Sequence, residues 1–91
     1  FMSPKKNGLG QVVAVNINGI QAIGFITQED QNRLPEVFRN EDSVLVYLPM
    51  SYMVGGYTIF VPRENVRELD MSMDEAMRFV LTAGITGKSA P

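Results

Sequence analysis

The sequence predicts an α+β fold: a β-rich, mostly antiparallel sheet or partly closed small barrel of about five strands, with one C-terminal helix. Three observations predict it. Runs rich in Val, Ile, Phe and Tyr recur between turn residues. An Asn-Gly pair, Asn18-Gly19, separates two of these runs. Only Ser72 to Gly84 combines helical periodicity with both a start and a stop signal.

Gln11 to Ile17 and Ile20 to Thr27 form the first two strands. Asn18 and Gly19 both tolerate positive φ, so a type I′ turn joins them and sets the register. Ile17 then faces Ile20, Val15 faces Ala22 and Val12 faces Phe25. Val13, Val15, Ile17, Ile20, Ala22 and Ile26 share one face, and Val12, Ala14, Ile23 and Phe25 share the other. Both faces are apolar, so both are expected to be at least partly covered. Gly24 marks a bulge or a close backbone approach.

Gln28 to Asp42 is the most polar segment and reads as a surface loop, with Leu34, Val37 and Phe38 pinning a short helical turn after Pro35. Ser43 to Leu48 is the third strand, closed by Pro49. The next loop, Met50 to Gly56, is unusually apolar for a loop and holds Met50, Tyr52, Met53 and Val54. It either folds back over an open end of the sheet or offers an adaptable contact surface.

Tyr57 to Val61 is the fourth strand, ended by Pro62. Val66 and Leu69 anchor a short fifth strand. Ser72 is an N-cap and Glu75 completes a capping box, with Asp74 and Glu75 favoured by the helix dipole. Met73, Ala76, Met77, Val80 and Leu81 form the apolar stripe, and Gly84 supplies the stop. Phe79 lies off the stripe. It packs on a neighbouring loop or serves as a contact with another subunit or with a further part of a longer parent protein.

The 91 residues make one domain over residues 9–86, with a linker at 1–8 and a tail at 87–91. Net charge is −2 with acids and bases interspersed, so no nucleic-acid or anionic-membrane partner is expected. The chain has no Cys, no His and no apolar run long enough to span a bilayer. Zinc–thiolate, cysteine-nucleophile and histidine-base chemistry are therefore excluded. Thr82 to Ser89 ends in Gly-Lys-Ser, but it follows a helix and lacks the first glycine of a phosphate loop. Glu64, Glu68, Asp70, Asp74 and Glu75 are clustered in sequence. The helix start accounts for three of them, and Arg63, Arg67 and Arg78 are expected to pair with the rest. No catalytic, cofactor-binding or metal-binding residue is assigned, and an enzyme is not expected.

Phe60-Val61-Pro62-Arg63, Val66, Glu68-Leu69-Asp70-Met71-Ser72 and Asp74-Glu75-Ala76 together resemble one family. Upstream, Gly10 to Val15 and Ile23 to Thr27 look like the same family's first strand and its Gly-Phe-x-Thr segment. It is the uncharacterised membrane-protein family, domain of unknown function five hundred and two, with the plant continuous-vascular-ring-like (LIKE COV) proteins among its members. The segment Pro49 to Gly56 departs from that family's Pro/Thr/Asn-rich loop. The resemblance implies two membrane spans preceding a soluble domain on the cytoplasmic side, and it implies no catalytic residue. The expectation is a non-catalytic domain acting in assembly, through a protein partner or self-association, with Met50, Tyr52, Met53, Val54 and Phe79 as contacts. The alternative is a small-ligand module with a pocket under loop 50–56.

Overall fold

The computed structural model describes residues 10–85, so the linker 1–8 and the tail 87–91 lie outside the described residues. It holds five strands, β1 (Val12–Ile17), β2 (Ile20–Gln28), β3 (Ser43–Pro49), β4 (Gly56–Pro62) and β5 (Val66–Glu68), and one helix, α1 (Met73–Leu81). All pairings are antiparallel and the strand order is β4-β3-β2-β1-β5. The sheet is not closed, because β4 and β5 form its two edges.

The β1–β2 register is the one the Asn-Gly turn dictates, from Ile17↔Ile20 through Val12↔Phe25. Asn18 and Gly19 have φ of 52° and 92°, as a type I′ turn requires. Asn16 Oδ1 also accepts from the Gly19 amide at 2.8 Å. The hairpin tip nonetheless reaches beyond the core, leaving Ile20 73% exposed and Ile17 only partly covered. The close-approach reading of Gly24 holds, and the register shift lies further along β2, between Ile26 and Gln28.

Chain connectivity forces the sheet to curl. Four strand spacings of about 4.8 Å put the edges of a flat sheet ~19 Å apart. Pro62 and Val66 bracket only a 3-10 turn, Arg63–Asn65. Four Cα steps span at most about 14 Å, and a 3-10 turn spans less. The β4 and β5 edges must therefore approach each other, and Asn65 Nδ2 donates to the Asn16 carbonyl at 3.0 Å to fasten the bend. The concave face closes on Val13, Val15, Ile26, Val44, Val46 and Val61. On the convex face, α1 lays Ala76, Met73 and Met77 against Val12, Phe25, Ile23 and Tyr47. Away from its tip, both faces of the first hairpin are thus covered, as its two-sided apolar pattern predicts.

The polar segment is more ordered than a loop. It forms two 3-10 turns, Gln31–Arg33 and Glu36–Glu41. Leu34 is buried and Phe38 stacks on Phe60 at 3.8 Å between ring centroids. Val37 is 76% exposed and anchors nothing, because a 3-10 turn repeats every three residues and turns it away from its neighbours.

Candidate functional site

The helix start matches expectation. Ser72 Oγ accepts from the Glu75 amide at 3.1 Å and Glu75 Oε1 accepts from the Ser72 amide at 3.2 Å. The helix end differs in detail. Ala83, at φ 54°, is the left-handed residue, and Gly84 follows it at φ 82°. The Gly84 amide donates to the Phe79 carbonyl at 2.7 Å and the Ala83 amide to the Val80 carbonyl at 2.9 Å, which is the Schellman arrangement.

Loop 50–56 completes this end. The Tyr52 amide donates to the Leu81 carbonyl at 2.9 Å. Ser51 Oγ donates to the Val80 carbonyl at 2.8 Å, and the Tyr52 hydroxyl to the Thr82 carbonyl at 3.1 Å. Thr82 serves the Arg78 carbonyl, so each of the last four carbonyls of α1 has a donor. The loop carries strain for this role. Tyr52 sits at φ 58°, a region that costs a bulky residue about 1–2 kcal/mol. Its neighbours stay in solvent, with Val54 fully exposed and Met53 half exposed.

A groove opens beside this latch. It measures about 450 Å³ and is open to solvent on one side. Ala22 and Ile23 of β2, Leu48 and Pro49 of β3, Met50, and Tyr57 of β4 form its floor and rim. Phe79, Val80, Ala83 and Gly84 form the helical wall. The groove exists because of Pro49. Two bonds fix the hydrogen-bond parity of β3 with β4, Met50 N–H to Gly55 O and Arg63 N–H to Asp42 O, both 3.0 Å. Antiparallel pairs alternate. Val44, Val46 and Leu48 therefore bond to β4, and Leu45, Tyr47 and Pro49 turn toward β2. Pro49 has no amide to give, and the β2–β3 ladder ends one rung earlier, at Phe25↔Tyr47.

The groove is lined mainly by carbon. Ser51 is engaged with α1, and Gln21 Oε1 accepts from Arg67 at 2.8 Å. The Tyr57 hydroxyl, at the rim, makes no hydrogen bond among the described residues. Of the five residues singled out from sequence, Met50 and Phe79 meet at this groove. Tyr52, Met53 and Val54 sit at the exposed loop, with Tyr52 spent on the latch. The sequence reading missed Ala22, Leu48, Tyr57 and Ala83, which look like ordinary strand and turn residues.

The acidic cluster does not meet its expected partners. Arg63 pairs with Glu29 and with Asp42 instead, and Arg67 turns to Gln21. The hydrogen bond that Arg63 donates to Glu29, helped by Asp42 and opposed by slight desolvation, holds Arg63 above the ordinary guanidinium pKa. Among the described residues, no three carboxylates gather as a metal site would require.

The family model described as "Protein of unknown function (DUF502)" matches residues 1–56. The chain belongs to this family. No curated protein and no solved structure matches it. The match of this DUF502 chain covers β1 to β3 and the latch loop, which supply most of the groove floor. It stops before the Leu69-Asp70-Met71-Ser72 block. Among the described residues, no helix is long and apolar enough to cross a membrane.

Proposed function

We propose that this chain is the water-facing part of a membrane-anchored DUF502 protein and acts in assembly, holding a protein partner without chemistry of its own. The observation that carries this reading is the groove: about 450 Å³, apolar, open along one side and rimmed by Phe79 and Tyr57. An open apolar trough suits an inserted side chain of a partner. The membrane context and the cytoplasmic placement rest on the resemblance described above.

The test uses the full-length protein in its membrane. Ala83→Arg and Met50→Glu each put a charge in the groove and leave the β-sheet core untouched. The size of the native membrane complex is measured, with the melting temperature as a control. A smaller complex at unchanged stability supports the proposal, and an unchanged complex refutes it. A small apolar ligand is the second reading, because the volume falls within the ~300–1,000 Å³ range of ligand pockets. Saturable binding of an alkyl probe, lost in Ala83→Arg, would favour it. Sidedness is read with Val54→Cys, a fully exposed position, against the protein without that change as the labelling control. Labelling by an impermeant maleimide from the cytoplasmic face alone is the expected result.

A further inference from the structure

The outer edge of β4 is unpaired, and its sequence is complementary to itself. The same parity that turns Pro49 toward β2 turns the amides and carbonyls of Gly56, Thr58 and Phe60 away from β3. Among the described residues, the backbone of 57–61 makes no hydrogen bond other than those to β3. A row of alternating donors and acceptors is satisfied by one kind of partner, another extended strand. Proteins usually protect such an edge with charge, an interior proline or a covering element. From Gly56 to Val61 the strand Gly-Tyr-Thr-Ile-Phe-Val has no charge and no proline; Phe38 stacks on the Phe60 ring, but no strand pairs with the outer backbone.

We infer that β4 pairs antiparallel with β4 of a second copy, centred on Thr58 across a two-fold axis. The register follows from the outward groups. Gly56 pairs with Phe60 of the partner subunit, Thr58 with the partner's Thr58, and Phe60 with the partner's Gly56. Each is a hydrogen-bonded pair, so all three outward-facing residues on each strand are used. Sliding two residues toward Pro62 brings a residue without an amide into the ladder. The side chains agree with the same register. Tyr57 comes to lie opposite the partner's Ile59, an aromatic–β-branched pair, and it does so twice. The two Thr58 side chains meet each other, and Phe60 lies beside a glycine. No like charges face one another. The contact is isologous and closes as a dimer. One strand pair lies at the small end of interface sizes, so the dimer is transient and is best read by trapping.

The 91-residue chain contains no cysteine, so single-cysteine variants report the register directly. In the proposed pairing the two Cα atoms at position 58 lie about 5.5 Å apart, within disulfide reach of about 4.4–6.8 Å. Position 57 lies two residues out of register with its own copy, beyond that reach. Under mild oxidation, Thr58→Cys is expected to form the disulfide dimer on the order of tenfold or more faster than Tyr57→Cys or Val54→Cys. Equal rates among the three overturn the inference. In the unmodified chain, the amide signals of Gly56, Thr58 and Phe60 are expected to shift with protein concentration, and Thr58→Lys is expected to abolish the shift. Thr58 is exposed, so that change spares the fold. Signals that stay fixed over the concentration range also overturn the inference. Ala83→Arg leaves the trapping rate unchanged, so this edge and the groove fail or stand separately.

Discussion

Replacing Gly24 by alanine tests how tightly the curled sheet is drawn together. A Cβ at this position would lie 2.6 Å from Val46 Cγ1, 2.8 Å from Leu48 Cδ2 and 2.9 Å from the Tyr47 carbonyl oxygen. Two effects compete. Alanine restricts the unfolded chain and would stabilise an accommodating strand by about 0.4–1 kcal/mol. Overpacking a filled core costs about 1–3 kcal/mol. Val46 is fully buried, and the third contact is backbone, so neither can swing away cheaply. Overpacking wins, for a net loss of about 1–2 kcal/mol. At about 4–8 °C per kcal/mol for a domain of this size, the melting temperature should fall by roughly 5–15 °C. Thermal unfolding followed by circular dichroism reads this directly. Gly19→Ala is the comparison: no atom lies within 4 Å, but φ is 92°, so it loses stability through backbone strain alone. A Gly24→Ala protein that melts at or above the parent temperature would refute the close approach of β2 and β3.

Ser72→Ala removes one bond of the capping box and should cost about 1 kcal/mol in urea unfolding, with Ser72→Asp close to neutral. Ser51→Ala and Tyr52→Phe each delete one latch bond, and faster amide exchange at Gly84 and Ala83 is expected while the sheet keeps its protection. Arg63→Gln breaks two partly exposed ion pairs and should cost about 0.2–1 kcal/mol, less at high salt. The pKa of Arg63 is raised in the folded state, so its contribution is complete below the ordinary guanidinium pKa. It is lost only as pH climbs through the raised value, and Arg63 should therefore add no pH dependence between mildly acidic and mildly alkaline conditions. Pro49→Ala returns a donor that points at β2. Its new amide should be protected from exchange, and an unprotected amide at position 49 would refute the parity on which the groove account rests.

The parts legible in sequence are those governed by neighbours a few residues away. Asn18-Gly19 fixes six cross-strand pairs because a two-residue loop leaves no choice of register. Ser72 and Glu75 cap α1 because both groups lie within one turn. Distance along the chain hides the rest. Arg63 has Glu64 beside it, yet it bonds Glu29 and Asp42, because the antiparallel pairing of β2, β3 and β4 brings the end of β2 and the turn before β3 beside the end of β4. Loop 50–56 looks like a free apolar tip, yet Ser51 and Tyr52 cap a helix that ends thirty residues later. A helix whose C-terminal carbonyls need donors does not reveal from sequence which loop will supply them. The groove was equally hidden, since Ala22 and Ala83 meet only through the tertiary fold.

The two strand-ending prolines show how one local property yields different outcomes at different places in a ladder. Pro49 and Pro62 both occupy non-hydrogen-bonded positions of the β3–β4 pair, opposite Gly56 and Ser43. Neither missing amide costs that ladder a bond, which is why both prolines stay inside their strands instead of ending them one residue earlier. Their effects appear on the opposite edges. On β3 the missing donor faces β2, and the ladder ends beside the groove. On β4 it faces outward, and it limits strand pairing to the stretch from Gly56 to Phe60. Gly56 is needed opposite Pro49 for a steric reason, since a Cβ there would collide with the Leu48 carbonyl oxygen. Shape at the groove and complementarity at the free edge thus follow from the same alternation of hydrogen bonds, read on its two sides.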